Sequence, residues 1–408
     1  MKTKKIELLC QKGVNIPNPE SVYISEDVNI ERISGQGVTL YAGTKIIGKR
    51  SLILPNVRIG YEAPVTLENT LVGENTQLNG GFFQDAVFAG NNIFGSGAHV
   101  RKGTILEEEA NAAHTVGLKQ TILFPFVTLG SLINFCDCFM AGGTNRKNHS
   151  EVGSSFIHFN YTPNQDKATP SMMGNVHQGV MLNQSPIFLG GQGGIVGPLR
   201  LGFGCITAAG SIIRKDELKN DRMVLGGGLK EMSLPRRMGV YSGVDRVVNN
   251  NIAYIAGLIS LTAWYHHVRP LFVHDQLSCE LILGMQKNLA DCIDERIKRL
   301  WGFHEKLEIS EQTLWAGSKG KQTTAICLHH AAFKILENAA DIFNTEMSAD
   351  QMTRDSESFV RAIELSIKDN GKDYIGVIQD LDPQVALIGS RWLYDIEKKI
   401  TTPLLLSV

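Results

Sequence analysis

Along residues 1 to about 215, apolar side chains return every six positions. Ile47, Ile53, Ile59, Val65 and Leu71 keep this step. So do Phe88, Phe94, Val100 and Leu106, and later Leu189, Ile195 and Leu201. Gly or Ala often follows closely, as in Ile46-Ile47-Gly48 and Phe88-Ala89-Gly90. Half-buried strands alternate every two residues and amphipathic helices every 3.6, so a step of six fits neither. It fits a parallel β-helix, where each step is one short strand and a turn around a narrow apolar core. Three steps close a triangular coil of about eighteen residues. From about residue 216 the pattern changes. Apolar residues recur at i, i+3, i+4 and i+7 in 277–307 and 323–347, the mark of amphipathic helices. Helices are predicted around 245–268, 276–307, 323–347, 353–369 and 383–400. The fold class is therefore β followed by α: a lead-in over 1–35, a parallel β-helix of hexapeptide repeats over 36–216, and an α-helical domain over 217–408. A helical bundle suits the side or end of a β-helix, because an exposed terminal coil is an aggregation edge.

The chain of 408 residues has room for two or three domains. Its 40 basic and 41 acidic residues balance, which argues against a general nucleic-acid binder needing a basic face. A local basic pocket is still allowed. Seven widely spread cysteines in so long a chain do not read as a disulfide framework. The N-terminal stretch MKTKKIELLCQKG has too short an apolar core for a signal peptide, and 252–264 is too short to cross a bilayer. The expectation is a reduced, cytoplasmic protein.

Candidate chemistry gathers in the first half. Residues 94–108 read FGSGAHVRKGTILEE and 116–120 read VGLKQ. Arg101 and Lys119 stand 18 residues apart, one coil, so their cations stack on one face as a phosphate clamp requires. Residues 156–169, FIHFNYTPNQDKAT, break the hexad rhythm with Asn160, Tyr161 and Lys167 beside a proline turn. Residues 206–216 read ITAAGSIIRKD. These stretches resemble the left-handed β-helix acyltransferases built on hexapeptide repeats. The likeness is nearest to the acetyltransferase domain of the bifunctional N-acetylglucosamine-1-phosphate uridylyltransferase/glucosamine-1-phosphate acetyltransferases. It covers roughly residues 35–216. The resemblance implies a left-handed coil and an acetyl-CoA-dependent transferase acting on a phosphorylated amino sugar or sugar nucleotide. It implies Arg101 and Lys119 on the substrate phosphate, and Asn160 and Tyr161 lining the sugar and acyl pocket. Lys167, Ala208 and Ala209 would contact coenzyme A. It also implies a homotrimer, with the acyl-CoA groove between adjacent β-helices.

The departures are specific. No uridylyltransferase-like stretch is present. Counting back from Asn160, the family's catalytic histidine position falls on Asp137. Counting forward from Lys119, it falls on Ser131, so one hexad is inserted between the two anchors. The family's asparagine ahead of the Asn-Tyr pair falls on Glu151. About twelve extra residues lie between Tyr161 and Ala208, GGQGG (190–194) among them. The helical half far exceeds the family's short tail.

Acyl transfer to an amine needs a base for the amine proton, and histidine suits that task near neutral pH. His158, two residues before Asn160, is the leading substitute, with Asp137 second if burial raises its pKa. Either is equally a packing residue. His99 and His149 stand near the phosphate candidates or are surface residues, and His114 reads as a corner residue. Cys136 and Cys138 form Cys-x-Cys without a second pair, so they read as small core residues and no metal site is predicted. His266–His267 and His329–His330 are adjacent on helices and point about 100° apart. Gly190–Gly197 and Gly317–Thr324 lack the context of nucleotide loops. Two alternatives remain open. One is a sugar-nucleotide-binding or scaffold trimer that has lost catalysis. The other is a metal-dependent β-helix enzyme using His114, His149 and His177, whose spacings of 35 and 28 match no multiple of a coil.

Overall fold

The computed structural model describes residues 2–228, 231–233, 235, 237–348 and 351–406. Helix α1 (Lys2–Lys12) precedes a parallel β-solenoid whose strands stack in three faces. Face one is a ladder of ten strands, from Thr39–Leu40 to Met223–Val224. Its inward column runs Leu40, Ile59, Leu78, Phe94, Ala112, Leu129, Val152 and Leu189. Face two begins at Tyr23–Ile24 and carries Ile24, Ile46, Leu67, Phe83, Val100, Leu118 and Phe135 inward. Face three carries Ile53, Val72, Phe88, Leu106, Leu123, Met140, Met173 and Leu201 inward. The predicted column places Ile47 inward. Instead Ile46 is buried in the ladder and Ile47 is half-buried, because the first coils exceed three hexads.

Three interruptions leave the coil. The inserted hexad is an antiparallel hairpin, Gly143–Asn145 against Asn148–His149. Further on, a loop at 160–170 and a segment holding the short helix α2 (Val176–Gly179) separate consecutive strands. GGQGG belongs to none of them. It is an ordinary corner: the Gly190 amide donates to Thr207 and the Gln192 amide to Ser154.

Six further helices follow: α3 (Val244–His267), α4 (Gln276–Gly317), α5 (Thr324–Ser348), α6 (Arg354–Asn370), α7 (Tyr374–Gln379) and α8 (Pro383–Leu404). Asp275 caps α4 with a reciprocal Ser278 bond, and Thr353 caps α6 in the same way with Ser356. These helices dock on face three. Its outward column is Leu52, Leu71, Val87, Ile105, Ile122, Phe139 and Met172, none more than 5% exposed. Strands covered on both sides carry continuous apolar runs, as here. Close approach needs glycine at two places. A Cβ on Gly284 would sit 2.1 Å from Leu71 Cδ2, and one on Gly257 would sit 2.8 Å from Met172 Cε.

Helix α4 runs along the corner between faces two and three. The Asn288 amide donates to the Asp85 carbonyl at 3.0 Å, and Cys292 Sγ lies 3.1 Å from the Gly103 carbonyl. Arg296 reaches Asp137 at 2.9 Å. The stripe Gly284, Asn288, Cys292, Arg296 advances about 18 Å at 1.5 Å per residue. The coil corners Asn69, Asp85, Gly103, Gln120 and Asp137 advance four strand spacings, about 19 Å. The two rises match, so one helix can contact successive coils. No described helix is long and apolar enough to cross a membrane.

Candidate functional site

Face two and its corner with face three carry the predicted cations. Arg101 follows the strand Ala98–Val100, and its amide donates to Leu118 at 2.9 Å. That register sets it beside Lys119, which is level with Cys136 in the next coil. Arg101 is exposed and Lys119 half-buried. Arg101 Nη2 lies 4.0 Å from Cys136 Sγ. Burial pushes the Cys136 thiol up and Asp137 adds to that, while Arg101, Lys119 and Lys167 oppose it. Three cations thus surround one position. An open groove of about 390 Å³ lies beside them, lined by His99, Arg101, Thr115, Gly117, Leu132 and Asn134.

Asp137 and Asn160 meet. Asp137 sits in a left-handed turn (φ 62°), almost fully buried. Its Oδ1 pairs with Arg296 Nη2 at 2.9 Å, and Asn160 Nδ2 approaches Oδ2 at 3.5 Å. The carboxylate is therefore neutralised by a buried guanidinium from α4. Arg296 retains Nε and Nη1 without partners among the described residues.

His158 occupies the inward column. The face-two register sets it between Phe135 and Ile195, and it is 3% exposed. Nε2 lies 2.8 Å from Ser171 Oγ. Burial pulls its pKa down to about 4, against the opposing pull of Asp137. The imidazole therefore stays neutral at ordinary pH and faces the interior. Two-residue spacing does not carry it to the side of Asn160, because the strand ends at Phe159.

The loop after the strand is tied to the helical domain. Asp166 accepts from Thr162 Oγ1 at 3.0 Å, the Ala168 amide at 3.1 Å and Tyr241 Oη at 2.8 Å. Lys306 Nζ donates to the Asn164 carbonyl, and Asn251 Nδ2 to that of Ala168 at 3.0 Å. Tyr241 also packs edge-on against Phe303 at 4.8 Å. This frame leaves Tyr161 77% exposed and Lys167 exposed in a left-handed turn (φ 58°).

Ala208 and Ala209 stand at the opposite edge of face two, several coils on. Ala208 donates its amide to Val224 at 3.2 Å. The remaining histidines scatter. His99 is outward on face two beside Phe82, and His114 Nδ1 lies 2.9 Å from Ser131 Oγ. His149 is in the hairpin, 3.8 Å from Glu151, and His177 on α2 pairs with Glu397. Among the described residues, no group of three His, Cys, Asp or Glu side chains is placed to hold a metal.

Sequence reasoning missed Arg296, Tyr241 and Lys306. Arg296 alone left a signal: it interrupts the buried stripe Leu289, Cys292, Ile293, Leu300, Phe303. A charge there needs a partner.

No model of a known protein family matches the chain. Among curated proteins, it is similar to the bifunctional protein GlmU of Thermotoga maritima, 27% identical over 217 residues, or 53% of this chain and 43% of that protein. GlmU of Carboxydothermus hydrogenoformans is 24% identical over 213 residues, 52% of this chain and 42% of its own. GlmU of Streptococcus agalactiae serotype V is 29% identical over 223 residues, 53% and 41%. The chain spans about two fifths of the length of these relatives.

Proposed function

We propose that the open face binds a phosphorylated amino sugar or sugar nucleotide and transfers to it an acetyl group from acetyl-CoA. The observation that carries this reading is the stacking of Arg101 on Lys119 beside an open groove. Two cations one strand spacing apart suit the oxygens of a single phosphate. Asn160 and Tyr161 would contact the sugar and the acyl group. Lys167, Ala208 and Ala209 would contact coenzyme A. The working assembly would be a trimer, with a neighbouring solenoid closing the groove. In the reaction the substrate amine attacks the thioester carbonyl. A C–N bond forms, the C–S bond breaks, and coenzyme A leaves as the thiol once a proton reaches it. Asp137 and His158 remain the proposed bases. Both are buried, so each needs water or a side-chain rearrangement to reach the amine.

That burial favours a second reading: the chain binds the sugar phosphate without turnover. Asp137 held by Arg296 is the specific observation for it.

Calorimetric titration with acetyl-CoA, with Asn160→Ala and Lys167→Ala alongside, tests the first step. Weaker binding in both variants supports coenzyme A in this groove. No heat at about millimolar ligand, the weak limit of a real site, overturns the transferase reading. Labelled acetyl transfer to glucosamine 1-phosphate then separates enzyme from binder. Arg101→Ala should weaken sugar-phosphate binding by about tenfold under either reading.

A further inference from the structure

A second cavity, of about 680 Å³, opens where the last coils meet α2 and α8. Small-molecule sites span roughly 300–1,000 Å³. His177 projects from α2 with Nδ1 2.9 Å from Glu397 Oε2. Ser260 Oγ donates to the other carboxylate oxygen at 3.0 Å. The Tyr394 ring packs edge-on to the imidazole at 5.1 Å. One ring nitrogen is thus held by a carboxylate that is itself held. Nε2 has no hydrogen bond among the described residues. A histidine oriented in this way presents its free nitrogen in one direction, the usual arrangement of a substrate-contacting imidazole.

Arg200 faces the same cavity. It takes the outward place on face three that Phe139 and Met172 hold in the two preceding coils. An apolar column ends there in a guanidinium. Its Nε donates to Asn250 at 2.7 Å and lies 4.0 Å from Asp216. Its two terminal nitrogens have no hydrogen bond among the described residues. Lys219 is exposed at the rim, its ammonium likewise unpaired among the described residues. Arg200 with its two terminal nitrogens open, the exposed Lys219 and an oriented imidazole converge on one space, with Glu397 on its wall and Asp216 behind the guanidinium.

We propose that this cavity is a second small-molecule site, taking a phosphate monoester of a hydroxyl-bearing molecule. Arg200 and Lys219 hold the phosphate, and His177 Nε2 bonds a hydroxyl of the body. The site is independent of the Arg101 groove: it lies at the corner of faces three and one, whereas that groove lies along face two.

The test uses the full chain carrying Arg101→Ala and Lys119→Ala, so the first groove is disabled. Calorimetric titration with glucose 6-phosphate should still show one saturable site. Adding Lys219→Ala should weaken it by about tenfold, and His177→Gln by a similar factor. Lys219 is exposed and unpaired, so its loss does not threaten the fold. Inorganic phosphate is titrated in parallel. Equal affinity assigns the site to the free anion, and weaker affinity assigns it to the ester. Absence of saturable binding at about 10 mM glucose 6-phosphate and phosphate overturns the proposal. So does binding that neither Lys219→Ala nor His177→Gln changes.

Discussion

Faces two and three are turns of the same coil, yet their outward columns have opposite character. On face three the column from Leu52 to Met172 is apolar and buried under helices. On face two it reads Lys45, Thr66, Phe82, His99, Gly117 and Asn134, mixed and partly exposed. The inward residues make the solenoid, and both faces supply them equally. The outward residues decide whether a face becomes an interface or stays open to ligands. The covered face and the open face are thus separated by one turn of the chain.

Substitutions can break that contrast. Phe139 is fully buried on face three and packs against Phe124 at 4.8 Å. Phe139→Ala should cost about 4 kcal/mol of unfolding free energy, read from denaturant midpoints. A loss under about 1 kcal/mol would mean the helices only lean on the solenoid. Arg296→Met comes next. It strands the buried Asp137 carboxylate, at a cost of about 3 kcal/mol. Pairing it with Asp137→Asn should restore most of that loss, which a purely steric effect of the introduced thioether side chain would not allow.

The third contrast is in pH. Glu107 lies under the helical domain, bonded to Tyr265 Oη at 2.6 Å, and burial raises its pKa to about 7 from 4.5. Folding therefore favours the protonated form. That contribution is complete below pH 4.5 and lost as pH rises towards 7. His158 runs the other way. Its pKa is lowered, so its contribution is present above 6.5 and lost as pH falls towards 4. Glu107→Gln removes one of these two opposing contributions, so its urea midpoint at pH 8 should rise relative to that at pH 5, compared with the parent protein. An unchanged difference would remove Glu107 from the account. The smallest effect belongs to the open face. Lys45→Ala should stay within about 0.5 kcal/mol.

Much of the architecture was legible because a coil repeats its own rule. Phe94, Val100 and Leu106 fall on the three inward columns in turn. The helices after residue 244 showed in their apolar stripes. Ile47 misled because Ile46 and its partner Leu67 are 21 residues apart, beyond three hexads. The covered face had a signal that went unread: runs such as Ala86-Val87-Phe88 and Cys138-Phe139-Met140 are apolar inward and outward alike. The site was legible only in part. Arg101 and Lys119 follow from spacing within adjacent coils. Arg296 meeting Asp137 joins residues 159 apart, which no local pattern encodes.

Stacked coils ordinarily melt from the ends, each turn held only by its neighbours. Here α4 touches the stack from Arg32, through Glu280, to Asn164, through Lys306. A coil in that stretch cannot open without also parting from this rod. Amides of the coils between Arg32 and Asn164 should therefore exchange with solvent through one shared opening, at nearly equal free energy, instead of in a gradient from tip to centre.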